Sequence, residues 1–161
     1  MALPSLDFLC ECVVAGLLDY YSIVHPPVPI REMLASPPPD LAGDLSLSSG
    51  LPFGDALWLR LLRGQGTVFV NNTLSHEAQR YAMAHALFTG LCSSEGGRAA
   101  GLPAVPNDAL NAQGAMFARL LLMPLDLLPE AWESMSPPDL ARLFMVPVSV
   151  AETRVQELAQ E

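Results

Sequence analysis

Proline decides where this chain can be helical. Its 15 prolines gather at Pro26-Pro27, Pro37-Pro38-Pro39 and Pro137-Pro138, with single ones such as Pro106 and Pro124. A proline in a helix interior removes a hydrogen bond and clashes with the preceding turn, at a cost of about 3 kcal/mol. Before the first cluster, Leu6, Leu9, Cys10, Val13, Val14, Leu17, Leu18 and Tyr21 recur at three- and four-residue steps, one apolar face of a helix. Ser5 is its N-cap and Pro26-Pro27 its stop. A short second helix fits Ile30 to Leu34. Residues 36–54, rich in Pro, Gly, Ser and Asp, read as a loop with one short strand at Asp44 to Leu47.

The run Thr67-Val68-Phe69-Val70 is β-branched and aromatic, hence a strand. Arg63-Gly64-Gln65-Gly66 precedes it and suits a hairpin turn, which makes Ala56 to Leu62 the partner strand; a Leu-rich run there is also compatible with helix. A helix is expected from Ser75 to Cys92, then a loop from Ser93 to Pro106, then a second long helix from Asn107 ended by Pro124. Ser136 with Pro137 opens a further helix. Ser149-Val150-Ala151-Glu152 has the form of a capping box for the last one. The link Met145 to Val148 between those two short helices admits a helix-turn-helix, but few basic residues lie there, so packing is the better reading.

A length of 161 residues and 51% hydrophobic composition suit one domain with a proper core, spanning 1–161 with residues 1–26 as an N-terminal helix. Seventeen acidic against 8 basic residues leave a net charge of −9, which repels phosphate backbones and anionic lipid. Neither nucleic acid nor a membrane is therefore expected as a direct partner. Asp7, Glu11 and Asp19 interrupt the apolar stretch Leu6 to Val24, and no cation precedes it, so it reads neither as signal peptide nor as anchor. Cys10, Cys12 and Cys92 are odd in number and wrongly spaced for a knuckle, which reads as free thiols in a reducing cytoplasm.

Helical zinc hydrolases need two histidines four residues apart, so that both imidazoles reach one metal, and a glutamate after the first to deprotonate the bound water. Arg80-Tyr81-Ala82-Met83-Ala84-His85-Ala86-Leu87-Phe88-Thr89 resembles the segment R-F-T-L-A-H-E-L-G-H of the ImmA/IrrE metallopeptidase family. Val68-Phe69-Val70-Asn71 is similar to the strand that leads into that segment. Phe117-Ala118-Arg119-Leu120-Leu121-Leu122-Met123-Pro124 is similar to F-A-x-x-L-L-M-P, which ends the family's second zinc helix. The tail Leu140 to Leu158 resembles its closing helix pair, so the likeness runs from about Pro27 to Leu158. It implies a mostly helical α+β, zincin-like domain of five or six helices with a small twisted sheet of two or three strands.

Carried across by residue, the resemblance implies a dismantled site. His85 falls on the first ligand, Ala86 on the general base, and Thr89 on the second histidine. Asn111 falls on the third-ligand glutamate of E-x-x-A-N-x-F-A, with Gly114 and Ala115 at the small and amide positions. No catalytic residue, metal or other cofactor is then expected, and His85, Ala86, Thr89 and Asn111 line a remnant pocket. A rebuilt site from His85, Cys92 and Asp108 is the alternative. His76 and Glu77 read as capping residues at a helix start. The resemblance implies a cytoplasmic, regulatory binding module whose partner is a helix-turn-helix repressor, for which an acidic surface is suited. The other readings are a structural or ligand-binding homodimer, joined through the apolar N-terminal helix, and an active enzyme with an unorthodox metal site.

Overall fold

The computed structural model describes residues 5–60, 62, 64–102, 104 and 107–160, with only the backbone of 107–110. Among these described residues, seven α-helices and three strands follow in the order α1 (Leu6–Tyr20), α2 (Ile30–Ala35), β1 (Leu47–Ser49), β2 (Ala56–Arg60), β3 (Gly66–Val70), α3 (His76–Ser93), α4 (Glu95–Ala99), α5 (Asn107–Leu122), α6 (Pro137–Phe144) and α7 (Val148–Leu158). Single 3-10 turns occupy Pro39–Leu41, Leu125–Leu127 and Trp132–Ser134. This is the mostly helical α+β arrangement that was expected, with one more helix than foreseen.

The sheet has the order β1-β3-β2. β2 and β3 form the antiparallel hairpin, with Trp58 opposite Val68 and Leu57 opposite Phe69, so the Leu-rich run is a strand. β1 lies parallel to β3 on its other side, Leu47 opposite Val68. Alternation along β3 buries Val68 and Val70 completely and leaves Thr67 and Phe69 half-buried. α3 packs on the sheet with one side and on α5 with another, about equally with each. Phe88 of α3 and Phe117 of α5 meet with ring centroids 5.3 Å apart at the centre of the core.

Four sequence expectations are corrected. α1 stops at Tyr20, well before Pro26, because Ser22 takes a left-handed φ of 52° and the Ile23 amide returns to the Leu18 carbonyl, a Schellman-type end without the usual glycine. The first strand is Leu47–Ser49, rather than Asp44 to Leu47. The expected loop after Cys92 holds α4, whose N-cap Ser94 accepts from the Gly97 amide at 2.7 Å. α7 starts at Val148, with Pro147 as its N-cap and no side-chain cap, so Ser149 lies within the first turn instead of capping it. Ser5, Ser75 and Ser136 do cap their helices, accepting from Phe8, Ala78 and Asp139 respectively.

The apolar face of α1 is spent inside the chain: Cys10, Val14, Leu17 and Leu18 are all buried in the common core. Arg80 of α3 is buried as well, and donates to the carbonyls of Val28 at 2.8 Å, Met145 at 2.9 Å and Phe144 at 3.4 Å. One guanidinium thus ties the segment before α2 and the end of α6 to the central helix. Burial lowers its pKa, with Glu32 and Glu77 acting in the opposite sense.

Candidate functional site

α3 and α5 carry the residues in question. The helical repeat sets His85 and Thr89 one above the other on α3, both half-buried, while Ala86 turns into the core with 4% exposure. Across the interface, the Nε2 of His85 lies 3.1 Å from the main-chain carbonyl oxygen of Asn111. A carbonyl only accepts, so Nε2–H is the donor and that nitrogen has no lone pair left for a metal. The Asn111 side chain is exposed. Among the described residues, no hydrogen bond joins it or the Thr89 hydroxyl to the imidazole. His85 and Asn111 are therefore brought together, but through the backbone of one of them.

Gly114 explains how the ring lies. A Cβ built there would fall 2.9 Å from both Cε1 and Nε2 of His85 and 3.1 Å from Nδ1. Three ring atoms nearly equidistant from one point place the imidazole face-on against the α5 backbone. Residue 114 corresponds to the alanine of the resembled E-x-x-A-N pattern, and a methyl group there would occupy the space the ring now fills. Phe88 is a second change that sequence reasoning passed over. It stands where the resembled segment has glycine, and its fully buried ring fills the gap between α3 and α5 against Phe117. The signal for both was a reversal of size within the two quoted motifs: glycine to phenylalanine in one, alanine to glycine in the other.

Zinc bound by a protein takes three or four nitrogen, thiolate or carboxylate ligands at one point. Among the described residues, no three His, Cys, Asp or Glu side chains form such a group. Cys92 is buried, and that burial raises its thiol pKa to about 11. Cys10, also buried, is pushed to about 12, first by desolvation and then by Cys92 and the nearby acids. The Asp108 side chain lies outside the described residues. The residues present at His85 do not fit a zinc ion. His76 is the first residue of α3 and Glu77 lies in its first turn, behind the N-cap Ser75.

Comparison with models of known families matches residues 51–156 to the IrrE N-terminal-like domain, a peptidase family. That span is well over half of the chain. The protein belongs to this family. The match starts at Leu51, later than the Pro27 at which the sequence resemblance began, so α1, α2 and β1 precede the part shared with IrrE N-terminal-like domains. No curated protein matches the chain significantly. Within the matched span lie β2, β3 and α3 to α6, with most of α7, so the hairpin, both helices of the site and the closing helix pair are all family structure.

Among the described residues, cavities of about 440, 340, 370 and 310 Å³ open on the surface, and none of these is lined by His85, Ala86, Thr89 or Asn111. The first lies between α1, α4 and the turn Pro39–Leu41, and the next two lie side by side along α1. Among the described residues, no helix is long and apolar enough to cross a membrane.

Proposed function

We propose that this IrrE N-terminal-like protein is a catalytically inactive, regulatory member of its family that acts by binding a basic protein partner, a helix-turn-helix repressor being the candidate the family resemblance suggests. The observation that carries this reading is the packing of His85. Its ring lies against the Gly114 backbone with Nε2–H on the Asn111 carbonyl, in a place where a hydrolase would present a free lone pair to a metal. Ala86 offers a methyl where water activation calls for a carboxylate, and a methyl accepts no proton. Thr89 offers a neutral hydroxyl, a weak ligand beside imidazole or thiolate. The residues 1–161 are read as one domain, since α1 contributes to the same hydrophobic core as α3 and α5.

The test is elemental analysis of protein purified without added zinc, together with incubation with a helix-turn-helix repressor. The expected result is metal far below one equivalent, and a repressor that co-purifies and stays intact. One equivalent of a transition metal that is lost in His85→Ala, or specific cleavage of the repressor, overturns the reading. The apolar cavity of about 440 Å³ beside α1 supports a second reading, a small apolar ligand. Its volume lies in the range of small-molecule sites.

A further inference from the structure

We propose that the groove between α1 and the turn Leu125–Leu127 docks a cationic amphipathic helix of a partner protein. Two of the surface cavities share Ala15, Leu18 and Asp126, and so run together as one trough along α1. Its lining mixes aliphatic with polar side chains, and it holds two of the most exposed aliphatic side chains among the described residues, Val24 at 69% and Leu125 at 54%. Its rim is acidic. Glu11 and Asp19 stand on α1, two turns and about 12 Å apart along the axis, and Asp126 faces them from the turn.

Charge selects the occupant. The one cation in the lining, Arg154, is buried and bonded to the Met123 carbonyl at 3.2 Å, with Glu157 3.7 Å away. Elsewhere every described arginine is also engaged within the chain: Arg31 with Gln79, Arg60 with Asp44, Arg80 with three carbonyls, Arg98 with Ser93, Arg119 with Glu157 and Arg142 with Asp139. The rim carboxylates are therefore complementary to cations supplied from outside. A second copy of this chain would bring the same carboxylates against them, and an anionic lipid surface would be repelled.

Backbone chemistry selects the conformation. The wall of the trough is a helix whose amide and carbonyl groups are already paired, so an extended peptide would find no strand edge there and would bury unpaired polar groups. A helix satisfies its own backbone and needs only side-chain contacts. Cations about two turns apart on such a helix would meet Glu11 and Asp19 together, with an apolar stripe between them on Leu125 and Val24.

The proposal rests on the reading of the protein as a binding module, and the experiment separates the two. Fluorescence anisotropy is measured on the full chain at about 0.15 M salt, with a labelled helical peptide of leucine, alanine and arginine whose leucines form one face. A scrambled peptide of the same composition is the control. The expected result is binding about ten-fold tighter than the scramble, weakened about ten-fold by the pair Glu11→Arg and Asp19→Arg, and also by Leu125→Asp. The milder pair Glu11→Gln and Asp19→Asn should weaken it in the same direction. The pair Glu130→Arg and Glu133→Arg, which do not line the trough, should change it less than about two-fold. Equal binding of the scramble, or equal effects of the two reversed pairs, would mean unspecific charge attraction and overturn the proposal. Normal binding in the trough variants overturns the groove while leaving a binding module intact. Zinc-dependent cleavage in the earlier assay removes the inactive reading without touching the groove.

Discussion

His85 can lie flat on α5 because the residue opposite it has no Cβ. In Gly114→Ala the new methyl would sit 2.9 Å from two ring atoms, and the imidazole must give way or lose its bond to the Asn111 carbonyl. Two effects compete. Alanine is favoured over glycine in a helix interior by about 1 kcal/mol, whereas forcing a group into a packed interface costs roughly 1–3 kcal/mol. With a rigid ring on one side and helix backbone on the other, overpacking should win, and urea denaturation should show Gly114→Ala less stable by about 1–2 kcal/mol. In a His85→Ala background the clash is gone and the same substitution should stabilise by up to about 1 kcal/mol. Stabilisation in both backgrounds would mean that the ring does not rest on Gly114. At this scale the sequence disclosed which side chains stand at the site, but not their manner of meeting. Nothing in the identity of Asn111 tells that its carbonyl, not its amide, faces the histidine.

The seating of α3 on the sheet turns on another close approach. A Cβ at Gly90 would fall 2.7 Å from Cδ1 and 2.8 Å from Nε1 of Trp58, and 2.9 Å from Cδ2 of Leu45. The indole cannot swing aside freely, since its Nε1–H donates to the Asp44 carbonyl at 2.8 Å. Gly90→Ala should therefore lift the helix from β2, cost roughly 1–3 kcal/mol and alter tryptophan emission; Trp58→Leu in that background should recover part of the loss. An unchanged emission and midpoint would show that helix and strand are not in contact there. Elements with local signals were readable: serine caps at Ser5, Ser75 and Ser136, and the β-branched run of β3. Those decided by distant partners were not. β1 owes its register to a parallel neighbour some twenty residues on, and α4 spans only Glu95–Ala99, too short for any periodicity. At α7 the local signal misled: the Ser149 box was overruled by Pro147, whose carbonyl already receives the amides of Val150 and Ala151.

For the molecule as a whole, the net charge of −9 was plain in the composition, but its distribution was not. Among the described residues, the arginines are drawn into contacts within the chain at Asp44, Glu157, Asp139 and main-chain carbonyls, while most of the carboxylates remain at the surface. Salt acts on both populations. It screens the attraction in exposed pairs such as Arg142–Asp139, which contribute only about 0–1 kcal/mol each. It also screens repulsion among the unpaired carboxylates, which opposes the compact state. Arg80 and Arg154 are buried and little affected. The repulsion acts over longer distances and among more groups, so it should lose more as the Debye length falls from about 30 Å near 0.01 M salt to about 8 Å near 0.15 M. The protein should thus become more stable by about 1 kcal/mol over that range, raising its melting temperature by about 2–4 °C. Sodium chloride and choline chloride should act alike, because screening depends on ionic strength and not on the cation. A melting temperature that falls with salt would show that the ion pairs outweigh the repulsion, and that the anionic surface is less exposed than the fold places it.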